Sequence, residues 1–369
     1  MSIPTPEFDD AFLTTRTLLY GFGGSVDLEG LAQTLPLVPV AFDRPWKRGT
    51  RPKISAFPEF GTIYSVRYGP IVRGVFGLPF KNSVMIDFSI GTKSVNVKVS
   101  KKSIHICGIQ SVEAGLRLAE LVLEYARTAQ RHLDVMAPVW PAVKAWVLAQ
   151  TLGPVREIPK YVVTRELVKD KWKTRRYEQG TETVATFVPF DSEALSAATG
   201  LPVDTAVWFS KLLVGLRTHA EVSEYLPWFD TRRTLVGPGG LTLDPEPHQV
   251  MINCSYSLGF PIRKEALKAI CDARTDFIAQ YNNAVHYYVT VEKVCTPEEM
   301  KGARVLVSRK KKLAVHTFIV YDSGHVMQSS KVYDAMKDAF YRFRELVQTH
   351  RAELEDTEAA ARTARLVKK

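Results

Sequence analysis

The sequence predicts an α+β fold in which one order of elements, strand, helix, strands, closing helix, occurs twice around a mainly helical middle. Three observations carry this. Apolar and polar residues alternate with the period of a strand over Val84–Ile90 and Val95–Val99. Helical apolar spacing follows each strand cluster, over Ser111–Gln130 and again from Lys331. The strand-rich texture is absent from about 131 to 247 and returns at Val250, as an internal repeat would.

In chain order, Phe12–Phe22 reads as a strand ending in glycines. Val26–Leu35 has helical spacing and is closed by Pro36 and Pro39. Thr62–Tyr68 alternates. Val84–Ile90, Val95–Val99 and Ile104–Cys107 form an antiparallel meander joined by short polar turns. Val95, Val97 and Val99 should share one side of it, with Asn96 and Lys98 on the other. The helix over Ser111–Gln130 buries Leu116, Leu118, Ala119, Leu121, Val122 and Tyr125.

The middle holds helices at Val135–Leu152, interrupted near Pro138 and Pro141, at Asp191–Ala198 and at Asp204–Leu216. A charged segment, Lys169–Arg176, lies among them, and Gly237–Pro247 reads as a linker. After it come a strand at Val250–Leu258, a helix at Lys264–Ala273 and a strand at Val285–Glu292. A basic strand pair within Arg304–Tyr321 and a Ser323-Gly324 turn lead to a strand at His325–Gln328 and the helix from Lys331. The expected segments are therefore 1–130 for the first repeat with an N-terminal extension, 131–247 for an insert and linker, 248–350 for the second repeat, and 351–369 for a charged helical tail.

The 369 residues are 46% hydrophobic and 24% charged, ordinary for a globular chain with a core of its own. Cys107, Cys254, Cys271 and Cys295 are scattered without a CxxC pair, which argues against a disulfide framework and a zinc site. The N-terminal MSIPTPEFDD is polar and acidic rather than a secretory signal, and no apolar run would span a bilayer. A soluble, intracellular protein without membrane contact is expected.

No catalytic constellation emerges. Tyr20-Gly-Phe-Gly-Gly-Ser25 lacks the lysine of a phosphate-binding loop, and neither GxSxG nor HExxH occurs. The expectation is a protein that is not an enzyme, with no cofactor, metal or small-molecule substrate.

The formal net charge of +10 favours polyanionic partners. Three runs carry cations and no acids: Arg44–Lys53, Gly91–Val112 with Lys93, Lys98, Lys101 and Lys102, and Lys301–Tyr321 with Arg304, Arg309, Lys310, Lys311 and Lys312. Singly, each reads as a solvated turn. On or between strands they suit a surface that tracks phosphates.

Two landmarks carry a resemblance. Gly259-Phe-Pro-Ile-Arg263-Lys-Glu265-Ala-Leu267 follows a strand and opens a helix, and Gly24-Ser-Val-Asp27-Leu-Glu-Gly-Leu31 holds the equivalent place in the first repeat. Tyr321-Asp-Ser323-Gly324-His325 and Val99–Ser111 form the hairpins before each closing helix. Over about 14–130 and 248–350 the chain resembles the TATA-box-binding protein family, in a flavour near the TATA-binding-like proteins of large DNA viruses.

The resemblance implies two pseudo-repeats, each a curved antiparallel sheet backed by helices, in a saddle-like fold with an inserted mainly helical region. It implies duplex DNA in the minor groove, a role in transcription initiation, and RNA polymerase or other transcription factors as further partners. The expected location is the nucleus or a viral replication compartment, with a virion as an alternative. Aromatic wedges of the family map to Tyr321, to Val99 or Lys98, and to Phe60, and no residue matches a fourth. Its central asparagine maps to Asn253, with Thr15 or Thr17 in the first repeat. The candidate DNA-binding residues are Phe60, Asn96, Lys98, Val99, Lys101, Lys102, Asn253, Arg309, Lys310, Lys311, Lys312 and Tyr321. A competing reading keeps the fold as an assembly module for protein partners without DNA contact, because wedge aromatics are missing, the insert is large, and Asp87 on a sheet face would repel phosphate. Single-stranded or RNA binding is a third.

Overall fold

The computed structural model describes residues 7–8, 12–38, 59–74, 81–91, 93–149, 155–168, 171–185, 190–214, 216, 219–231, 233–281, 287–296, 298, 315–331 and 333–359. In chain order the elements are β1 (Phe12–Gly23), α1 (Leu28–Thr34), β2 (Thr62–Tyr68), β3 (Ile71–Gly74), β4 (Val84–Ile90), β5 (Lys93–Val99), β6 (Ser103–Ile109) and α2 (Val112–Met136). A 3-10 turn at Ala137–Val139 leads into α3 (Trp140–Leu148), followed by β7 (Val155–Val168), β8 (Lys171–Ala185), α4 (Ser192–Thr199), α5 (Val203–Leu213) and α6 (His219–Tyr225). The remainder is β9 (Thr242–Leu243), β10 (His248–Ser257), α7 (Lys264–Asp272), β11 (Phe277–Gln280), β12 (Tyr288–Val294), β13 (Val315–Tyr321), β14 (His325–Ser330), α8 (Tyr333–Thr349) and α9 (Arg351–Leu354). Antiparallel sheet and helices make this an α+β protein.

Two compact units emerge, and neither is one of the contiguous segments expected from the sequence. One gathers Met1–Phe22, Ser103–Ala119 and Leu243–Lys369; the other gathers Gly23–Lys102 and Glu120–Thr242.

In the first unit the strand order is β11-β12-β13-β14-β10-β1-β6. Burial alternates along β12, β13 and β14, so every second residue faces the core. Phe318, Val320, Val289, Val291 and Val326 supply that side, against Leu267 and Cys271 of α7 and Met336, Phe340 and Phe343 of α8. The α8 residues recur at helical spacing, and Phe343 stacks on Phe318 with centroids 4.4 Å apart. Each such side chain contributes about 1.5–3 kcal/mol on burial.

The Phe260-Pro-Ile and Ser323-Gly324 landmarks of the sequence meet in this unit. The Leu258 amide donates to the Gly324 carbonyl at 2.9 Å, and the Ile262 amide donates to that of Asp322 at 2.8 Å. Gly324 has φ +78°, and a Cβ there would lie 1.9 Å from the Phe260 carbonyl oxygen. Only glycine lets the hairpin turn approach the Phe260-Pro-Ile segment so closely.

The second unit contains a smaller antiparallel sheet, β5-β4-β2-β3. Val95, Val97 and Val99 share its core side with Val84, Ile86 and Phe88. Trp140, Phe209 and Phe229 cluster edge to face or tilted, with centroids 5.1–5.9 Å apart. The start of the supposed linker is structured: the Gly237 amide donates to Ser25 O at 3.0 Å and the Gly240 amide to Gly237 O at 3.2 Å, next to the bond from the Asp27 amide to Leu235 O at 2.9 Å. The Asp27 carboxylate caps α1, accepting from the Glu29 and Gly30 amides at 3.2 and 3.1 Å. Asp27→Ala should therefore cost about 1 kcal/mol in urea unfolding. Tryptophan fluorescence would report it, because all six tryptophans fall in this unit's segments. An unchanged midpoint would mean that the cap is idle.

The middle region departs from its expected, mainly helical character. Helices α3, α4 and α5 lie where the sequence places them, but β7 and β8 form a long two-stranded hairpin. Charged residues hide its pattern, yet Val162, Val163, Thr164, Thr181, Thr183 and Val184 favour strands, and Pro159 adjoins a register shift. Of the expected basic strand pair, the described strand is β13; Arg309, Lys310, Lys311 and Lys312 lie outside the described residues. No helix among the described residues is long and apolar enough to cross a membrane.

Candidate nucleic-acid interface

Strand alternation gives the first unit's sheet a second side, formed by residues that stay partly accessible. Along it lie Tyr288, Thr290 and Glu292 of β12, Thr317, Ile319 and Tyr321 of β13, Met327 and Ser329 of β14, and Met251, Asn253 and Ser255 of β10. Short hydroxyls, aliphatic groups and aromatic rings dominate, and Glu292 is the one acid in this set.

Asn253 sits at the centre of a polar row across three strands. Its Nδ2 donates to Thr15 Oγ1 at 2.8 Å, and Ser329 Oγ donates to its Oδ1 at 2.6 Å. Thr14 Oγ1 also donates to its backbone carbonyl at 3.0 Å. These bonds fix the amide plane and leave one N–H of Nδ2 to serve a ligand. Thr15, read as a counterpart of an asparagine, is thus the direct partner of one.

At one end of the same side, Tyr321 is paired across the strands with Tyr288. Their rings are 5.9 Å apart; Tyr287 lies 5.4 Å from Tyr288 and 5.9 Å from Tyr321, and His325 lies 5.8 Å from Tyr321. Desolvation, followed by the neighbouring Tyr287 and Tyr288, raises the pKa of Tyr321, which keeps its hydroxyl a donor. Tyr287 is 69% exposed. Neither Tyr287 nor Tyr288 figured among the sequence candidates. Their signal is the doubled aromatic opening a strand, which alternation alone treats as one core and one surface residue.

In the second unit, Asn96 and Lys98 of β5 lie opposite the valine side, as expected, and pair with Asp87 and Met85 of β4. Asn96 Nδ2 donates to Asp87 Oδ1 at 2.8 Å, and Arg67 forms an ion pair with the other carboxylate oxygen. Asp87 is on this side, as the competing reading requires, but it is compensated by both neighbours. Val99 is corrected: it is 1% exposed on the core side, because strand parity places it with Val95 and Val97. Of the two positions mapped to that wedge, only Lys98 is on the accessible side. Phe60 is half-buried in the turn before β2. Lys101 and Lys102 occupy the exposed turn after β5; Lys102 Nζ donates to Gly24 O at 2.5 Å, and both lysines line a cavity of about 490 Å³ with Asp27 and Tyr68.

No protein-family model and no curated protein matches the chain. Among solved structures it is similar to one described as Methanococcus jannaschii TBP, at 9% identity and a TM-score of 0.34, over 93% of this chain and 99% of that one.

Proposed function

We propose that this chain is a DNA-binding protein without enzymatic activity, which receives duplex DNA on the accessible side of its sheet and acts in transcription initiation. The Thr15–Asn253–Ser329 row beside the Tyr287, Tyr288 and Tyr321 rings supports this reading most directly. A minor-groove floor offers base acceptors and little else, and an oriented amide N–H among hydroxyls and aliphatic groups complements it. An exposed ring such as Tyr287 suits insertion at a base step, where opened stacking is offset by added contact area. The duplicated unit and saddle-like curvature that the sequence resemblance implies belong to the same proposal. So do RNA polymerase or other transcription factors as partners, and a nuclear or viral replication compartment as the setting.

Anisotropy of labelled duplexes across a salt series tests the proposal, with an A·T-rich probe against a G·C-rich one. Expected is binding that weakens steeply with salt and favours the A·T probe. Absence of binding at low salt would overturn the proposal in favour of an assembly module with protein partners.

A further inference from the structure

Lys264 is the first residue of α7, a place where the helix dipole disfavours a cation. Its side chain is nonetheless only 16% exposed, unusual for a lysine unless its charge is held. The ammonium reaches three segments of the first unit. Nζ donates to the Tyr287 carbonyl at 3.3 Å, lies 3.9 Å from the Asp322 carboxylate, and lies 5.5 Å from the centroid of the Tyr281 ring. Tyr281 follows β11, Tyr287 precedes β12, and Asp322 opens the turn from β13 to β14. Tyr321 and His325, whose rings are 5.8 Å apart, flank that turn. One cation thus ties together the two chain segments that carry the aromatic cluster.

We propose that Lys264 is a positioning residue for the DNA contact, holding the main chain at Tyr287 so that its ring stands beside those of Tyr288 and Tyr321. The proposal rests on duplex DNA being received on this side of the sheet. A ring that is 69% exposed has little burial of its own to fix it, so its direction depends on where the backbone is held. The Tyr287 carbonyl is that hold, while the Asp322 carboxylate and the face of Tyr281 orient the ammonium. A ring already in place binds without a further loss of freedom, whereas a loose one is ordered at the expense of affinity. An ammonium committed to this carbonyl acts through Tyr287 rather than on a phosphate. Helix α7 itself is secured from its other side, where Leu267, Ile270 and Cys271 are buried.

The test is a double-mutant cycle on the full-length chain: Lys264→Met, Tyr287→Ala and the two combined, titrated with the A·T-rich duplex across a salt series. Each single variant should bind about tenfold more weakly than wild type, and the combined variant no more weakly than Tyr287→Ala, because groups acting as one unit are not additive. The slope of log affinity against log salt should stay that of wild type in Lys264→Met, whereas a lost phosphate contact would lower it by about 0.9. Lys264→Arg keeps a cationic donor and should restore most of the affinity. Urea unfolding followed by far-UV circular dichroism should give Lys264→Met the wild-type midpoint, since its ion partner is exposed. Additive losses, a lowered salt slope, a lowered midpoint or an arginine variant as weak as the methionine one would each overturn the positioning role, as would wild-type affinity in either single variant. If Lys264→Met binds as wild type while Asn253→Asp is weakened, the sheet-side reading stands without Lys264. A wild-type chain that binds no duplex overturns both.

Discussion

Replacing Arg73 with methionine is expected to destabilise the second unit by about 3 kcal/mol. Arg73 is on β3 at 6% exposure, on the core side of its sheet, where a charge is costly unless fully served. Its Nη1 donates to the carbonyls of Ala32, Gln33 and Leu35 at 2.9, 2.9 and 3.0 Å, and its Nη2 donates to Leu212 O at 2.7 Å. The first three are carbonyls that α1 leaves without helical partners at its C-terminal end. One guanidinium thus closes α1 and joins it to α5. Tyr225 packs against it with 5.6 Å from Cζ to the ring centroid, and its hydroxyl also donates to Gln33 O. Burial pushes that phenol up to about 12 despite the nearby cation, so it remains a neutral donor. Desolvation lowers the pKa of Arg73 itself. Methionine fills similar volume but takes the donor from the Ala32, Leu35 and Leu212 carbonyls, while Gln33 O keeps Tyr225. Lysine should recover only part of the loss, because its compact ammonium cannot span acceptors arranged for a planar fork. Urea unfolding followed by tryptophan fluorescence measures both variants. A methionine variant within 1 kcal/mol of wild type would mean that other groups satisfy those carbonyls.

The sequence was most legible where local patterning and burial agree. β5 alternates cleanly, and its parity separates Asn96 and Lys98 from the buried valines. Breaking residues also spoke plainly: Pro138 and Pro141 mark the break between α2 and α3. Legibility failed where tertiary contacts decide. The glycine- and proline-rich stretch after Val236 resembles a linker, but its Gly237 amide donates to the Ser25 carbonyl. Arg73 looks like a surface strand residue until the end of α1 is placed over it. The β7–β8 ribbon was missed because charged residues interrupt the apolar alternation that normally betrays a strand. The tyrosine cluster was only half visible, since Tyr321 stands alone in sequence and acquires Tyr287 and Tyr288 through the β12–β13 register.

Asn253→Asp is expected to weaken duplex binding by about a hundredfold, close to 2.7 kcal/mol, while leaving stability nearly unchanged. The substitution preserves shape. A carboxylate at the same place can still accept from Ser329 Oγ and, with the hydroxyl turned, from Thr15 Oγ1, so the row across β1, β10 and β14 survives. What changes is the face offered to a ligand. The amide presents a donor to a groove floor lined with acceptors; the carboxylate presents only lone pairs and a negative charge to a polyanion. This set of residues holds no Lys or Arg, so the added charge meets no compensation within it. Asn253→Ala should fall between the two, because it removes the donor without adding charge. A·T preference separates specific loss from general repulsion. If Asn253 reads the groove floor, the alanine variant loses discrimination between A·T and G·C probes, whereas a charge effect alone lowers both affinities equally. Titration of the three proteins against both probes at one salt concentration gives the answer. Equal affinities for wild type and Asn253→Asp would remove this side of the sheet from the DNA contact.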